Sequence, residues 1–126
     1  MIDPLTAYRA YSAAWNETDP GGRSRLLVQS WAVDGVLVDP DTPDGVIGRD
    51  ELAEYMATTH DAMPDLAIVE RSEPEVLGTR LRVSWVARQR HEEVYTGTDF
   101  IEFADDGRIA RVTMFYDSMP EGDKRA

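Results

Sequence analysis

The chain has 126 residues, 24 acidic and 13 basic side chains, a net charge of −11 and no cysteine. A domain of that length can bury its own core, while disulfides, thiolate metal sites and cysteine nucleophiles are excluded. The acidic balance speaks against a nucleic-acid backbone or an anionic membrane as partner, and no apolar run approaches the ~20 residues of a membrane span.

Without a signal-peptide pattern at its N-terminus, the chain is expected to be a cytoplasmic protein. Hydrophobic residues make up 42% of it, including three Trp, five Tyr and three Phe, which argues for a packed core rather than disorder. No repeat or low-complexity tract divides it, so residues 1–126 read as a single domain with a polar tail over 118–126, frayed from Glu121 onward.

In chain order, Asp3-Pro4 is a helix cap followed by proline at the first helical position. Leu5, Tyr8, Tyr11 or Ser12, and Trp15 recur at helical spacing and give an apolar, aromatic face. Asp19-Pro20 repeats the cap signal before a short second helix through Leu26, Leu27 and Gln29. Gly35 to Val38 reads as a strand stopped by Asp39-Pro40, with Val46-Ile47 as the returning arm of a hairpin. A third helix is expected from about Asp50 to His60, burying Leu52, Tyr55, Met56 and Thr59. Four strands then follow: Leu66–Arg71, the alternating run Leu81-Val83-Trp85-Ala87, Glu93–Phe103, and Arg108–Tyr116 after the Asp106-Gly107 turn. Three helices and then a meander predict an α+β fold, with the helices packed on one face of a strongly curved antiparallel sheet.

There is no phosphate-binding glycine loop, nucleophile elbow or paired-histidine zinc motif. The two histidines, His60 and His91, are far apart in sequence, so neither a metal nor a cofactor is expected. What remains is carboxylate and phenol chemistry. Asp99 shares a strand face with Gly97, Ile101 and Phe103, and a carboxylate on an apolar face is either hydrogen-bonded structurally or held in a pocket with a raised pKa.

The order of elements resembles the nuclear-transport-factor-2-like superfamily, which includes ketosteroid isomerases and SnoaL-like polyketide cyclases. The resemblance spans about residues 5–117. It is carried by Tyr11-Ser12-Ala13-Ala14-Trp15-Asn16, Trp31-Ala32-Val33-Asp34-Gly35-Val36, Val38-Asp39-Pro40, Gly48-Arg49-Asp50-Glu51-Leu52 and Gly97-Thr98-Asp99-Phe100. It implies a cone-shaped α+β barrel with an internal pocket.

Ketosteroid isomerases carry a tyrosine in the first helix, an Asp-Pro after the first strand and an aspartate in the penultimate strand. Tyr11, Asp39 and Asp99 fall on those places. The resemblance implies Asp39 as base, with Tyr11 and a protonated Asp99 as donors to an enolate oxygen. Trp15, Tyr55, His60, Trp85, Val112, Met114 and Tyr116 are the expected substrate-binding residues around a small apolar carbonyl compound. Gly97 stands where the epoxide-hydrolase branch carries an arginine, which argues against that chemistry. Arg80, Arg82 and Arg88 lie on the opposite strand face, and that outer face is expected to form a homodimer. The alternative is a ligand-binding or dimerisation module that retains the cavity without chemistry.

Overall fold

Asp3 opens the first helix, α1 (Pro4–Asn16), by accepting the backbone N–H of Thr6. Asp19 does the same for Gly22 at the start of α2 (Pro20–Ser30). Each carboxylate satisfies a donor that the first helical turn leaves without a partner. The computed structural model describes residues 1–123, so Lys124 and the end of the expected polar tail lie outside the described residues. After α2 come β1 (Trp31–Asp39), β2 (Thr42–Ile47), α3 (Arg49–Ala62), β3 (Leu66–Glu70), β4 (Glu75–Leu77), β5 (Arg80–Gln89), β6 (Glu92–Phe103) and β7 (Ile109–Ser118). No helix among the described residues is long and apolar enough to cross a membrane.

Three helices pack on a curved sheet, as the α+β reading requires. The sheet runs β2-β1-β7-β6-β5-β3, with β4 alongside β5. One pairing, β1 with β7, is parallel, and the others are antiparallel. The sheet is therefore mixed, and it remains open. A parallel neighbour needs a long crossover, which α3 and the whole β3–β6 segment supply.

β1 starts four residues before the predicted Gly35. Asp34-Gly35 reads locally as a turn, but here it absorbs an irregularity in the pairing with β7. The Trp31 indole lies across Gly35, where a Cβ would come within 2.4 Å of its Nε1. That fold-back buries Trp31 completely and stacks it on Tyr11, with ring centroids 5.3 Å apart. β4 was not expected: Glu75, Val76 and Leu77 are three exposed residues with no apolar alternation.

Asn16 ties the end of α1 to β3 by acting as a substitute strand partner. Its Nδ2 donates to the Ile68 carbonyl and its Oδ1 accepts the Ile68 N–H, both at 2.7 Å. The main core lies between the helices and the sheet and includes Leu27, Leu37, Leu52, Met56, Ile101 and Val112. A second cluster around Leu66, Trp85 and Ala87 lies toward the other end of the sheet.

Candidate active site

Between these clusters is a cavity of about 380 Å³, near the lower end of the range for small-molecule sites. Tyr11 reaches it from α1, Asp39 from the end of β1, Tyr55 from α3, and Asp99 from β6. Three elements distant in sequence thus bring Tyr11, Asp39 and Asp99 to one space.

Asp39 is 3% exposed and closes the β1–β2 hairpin. Its Oδ1 accepts the N–H groups of Asp41 and Thr42, at 3.0 and 2.8 Å, and the Thr42 hydroxyl at 2.7 Å. Its Oδ2 accepts the Tyr55 hydroxyl at 2.6 Å. One oxygen is fixed by the turn and the other is steered by α3. Burial, and then the bond to Asp39, push the Tyr55 phenol well above its ordinary pKa, so it remains a donor.

Asp99 is 6% exposed. Trp85 stands opposite Gly97 in the β5–β6 ladder, and its indole crosses the glycine, where a Cβ would lie 2.2 Å from the ring. The indole N–H thereby reaches Asp99 Oδ1 at 2.9 Å. Burial pushes the Asp99 carboxyl up to about 7, with the Trp85 bond opposing and the Asp39 charge adding to the rise. Tyr11 is also held well above its ordinary value, by burial first and then by the Asp99 charge, so its hydroxyl stays protonated. Tyr8, one turn earlier on α1, is raised to about 12 for the same leading reason.

Trp15, Tyr55, Trp85, Met114 and Tyr116 line the cavity. Trp15 meets Tyr55 edge to face at 6.0 Å and forms a wall rather than a plug. Two of the expected substrate-binding residues lie elsewhere. Val112 shares the β7 face of Met114 and Tyr116, but it is fully buried in the main core, because that face passes from core to cavity along the strand. His60 is not in the lining, because its Nε2 is engaged by the Trp15 carbonyl at the end of α1.

Asp41 lines the cavity without having been singled out. It accepts the Tyr116 hydroxyl at 3.2 Å, and as a turn residue it carries no periodic signal. Among the described residues no group of three or more His, Asp or Glu side chains is placed to hold a metal ion.

The model of the SnoaL-like domain matches residues 8–112. A candidate isomerase of the SnoaL-like family from Agrobacterium tumefaciens is 31% identical, with TM-score 0.84, covering 90% of this chain and 97% of its own. A candidate ketosteroid isomerase from Kribbella flavida is 22% identical, with TM-score 0.69, over 94% of this chain and 80% of its own. A candidate SnoaL-like polyketide cyclase from Jannaschia is 13% identical, with TM-score 0.68, over 90% and 86%; at these lower identities the likeness is one of fold. No curated protein matches the sequence significantly.

Proposed function

The chain belongs to the SnoaL-like family, and on that footing we propose that it is a cofactor-independent acid–base enzyme of the cytoplasm acting on a small apolar carbonyl compound. The observation that carries this reading is the meeting of Asp39, Tyr11 and a raised-pKa Asp99 in one cavity. Asp39 Oδ2 takes a proton from the carbon beside the carbonyl, and the electron pair of the broken C–H bond moves to the carbonyl oxygen. Tyr11 and the neutral form of Asp99 donate hydrogen bonds to that oxygen, each worth roughly 3–4 kcal/mol where charge develops out of water. Return of the proton to another carbon completes an isomerisation. Attack of the enolate carbon on a second carbonyl would instead give the cyclase outcome, so the two family activities share the first step.

The reading also pairs two copies through the outer sheet face. There Phe100 and Phe115, 44% and 53% exposed, meet edge to face at 6.1 Å. Arg82 and Glu75 form a surface ion pair on the same side, at 2.8 Å.

A second reading, a binding module without chemistry, is favoured by the four hydrogen bonds that occupy Asp39. Isomerisation of a β,γ-unsaturated ketone separates the two. The enzyme reading expects turnover by the wild type and a loss of about 10²–10⁴-fold in Asp39→Asn, the usual contribution of a positioned base. Equal rates in the two proteins would remove Asp39 as the base, and ligand binding with no turnover in either would leave the binding module as the function.

A further inference from the structure

Two tryptophan rings lie across glycines of the sheet. An added Cβ would stand 2.4 Å from the Trp31 ring at Gly35 and 2.2 Å from the Trp85 ring at Gly97. The two differ in what the indole N–H finds. That of Trp31 is buried with no hydrogen-bond partner among the described residues, whereas that of Trp85 reaches Asp99 Oδ1 at 2.9 Å. The fold therefore tolerates an orphaned indole N–H.

Burial of a large ring does not by itself call for the Trp85–Asp99 bond. A neutral acceptor would satisfy the indole at lower cost, since Asp99 is 6% exposed and a carboxylate held out of water is expensive. Trp85 pairs with Gly97 and Val83 with Asp99, so the indole crosses the ladder diagonally to a residue two places along the partner strand. Tyr116 meets the Trp85 ring nearly at right angles, 6.2 Å away at 76°, and backs it in that orientation.

An indole N–H can only donate. Oδ1 of Asp99 must therefore be an accepting oxygen, which leaves the proton of the neutral acid to Oδ2. Without that donor the two oxygens would be interchangeable, and the proton would divide between them. We infer that Trp85 is a positioning residue for Asp99: its indole N–H assigns the acid proton to Oδ2 and so fixes which oxygen donates to the substrate carbonyl. The part in turnover rests on the proton-transfer reading above, whereas the placement of the proton rests on the Trp85 contact alone.

The same bond bears on the charge of Asp99. It favours the ionised acid, against burial and the Asp39 charge. Trp85 thus aims the donor and also lowers the pH at which the donor is lost. The titratable groups sharing the cavity from other elements are Tyr8 and Tyr11 on α1, Asp39 and Asp41 around the β1–β2 turn, Tyr55 on α3 and Tyr116 on β7. Burial keeps Tyr8, Tyr11 and Tyr55 protonated through neutral pH. The carboxyl groups carry the pH response, and Asp99→Asn identifies the share that belongs to Asp99.

The test replaces the donor in the whole protein in two ways. Trp85→Phe keeps an aromatic ring, and 3-benzothienylalanine at position 85 keeps the full bicyclic shape with sulfur in place of the N–H, so that lost packing and lost donation are separated. Carboxyl-carbon NMR should find Asp99 titrating about one to two pH units higher in both proteins than in wild type. On the acid side of that titration, turnover of the β,γ-unsaturated ketone should fall by roughly tenfold, because the donor is no longer aimed. Its decline with rising pH should move upward with the titration. A residue that only filled space would lower the rate without moving that decline.

The inference is overturned if Asp99 titrates at the wild-type pH in the benzothienyl protein. It is equally overturned if the titration moves while the rate on the acid side, or the pH of its decline, stays at the wild-type value. A wild type without ketone turnover, in which Asp99 still shifts on loss of the donor, would remove the proton-transfer reading and leave the Trp85–Asp99 assignment standing.

Discussion

Asp99 accepts one hydrogen bond from Trp85 and feels the charge of Asp39, in a setting where burial dominates. The native state keeps its proton up to about pH 7, whereas an unfolded chain releases it near the ordinary value of 3.8. Between those values the folded protein binds more protons than the unfolded one, so this group's contribution lowers stability as pH rises. Asn at this position still offers an oxygen to Trp85 and carries no ionisable group. Asp99→Asn should therefore match the wild type at pH 4 and exceed it at pH 8, by on the order of 3 kcal/mol. Denaturant titrations across that range check the sign, and a gap independent of pH would show that Asp99 ionises normally in the folded chain. That Asp99 occupies an unusual position is legible in sequence from its apolar strand face. Its bond to Trp85 is not, because the register of β5 against β6 is set by the whole sheet rather than by either strand's pattern.

At the scale of elements, the helices were readable because their signals are local. Asp3-Pro4 and Asp19-Pro20 announce caps that the structure makes with the Thr6 and Gly22 N–H groups, and the Tyr8, Tyr11 and Trp15 spacing gives the buried face of α1. The meander was readable from alternation and from the Asp106-Gly107 turn. The parallel β1–β7 pairing was not, because it joins strands separated by most of the chain. The first residues of β1 were hidden by Asp34-Gly35, whose turn-like composition serves here to fold Trp31 onto the strand.

Gly97 is the comparable device in β6, and it couples element to site. A methyl group there collides with the Trp85 ring and with the Phe115 carbonyl. Gly97→Ala should cost about 1–3 kcal/mol as an overpacked contact and pull the indole off Asp99. Since the indole bond opposes the rise in the Asp99 pKa, its loss should also move that titration to higher pH. Denaturation and a carboxyl-carbon NMR titration measure the two effects, and an unchanged Trp85 environment would contradict the coupling.

For the whole molecule, the strong negative charge has an inner counterpart in a cavity whose ionisable groups, among the described residues, are all acids and phenols. Composition alone narrowed the available chemistry to those groups, but only the fold shows that they share one space, since α1, the β1 end and mid-β6 meet through tertiary packing. The exposed outer face has its own consequence. On the proposed pairing of two copies, replacing Phe100 and Phe115 together with Ser should give a monomer in sedimentation velocity where the wild type is a dimer. A wild-type monomer would remove the pairing.

On the proposed function, this cavity removes a proton beside a carbonyl, the step common to the isomerase and cyclase outcomes. Incubating the protein in D₂O with a simple cyclic ketone and following deuterium uptake at the α-carbon by NMR tests that step without requiring the natural substrate. Uptake well above the buffer rate in wild type, lost in Asp39→Asn, is the predicted result. Uptake no faster than buffer, or equally fast in the variant, would contradict it.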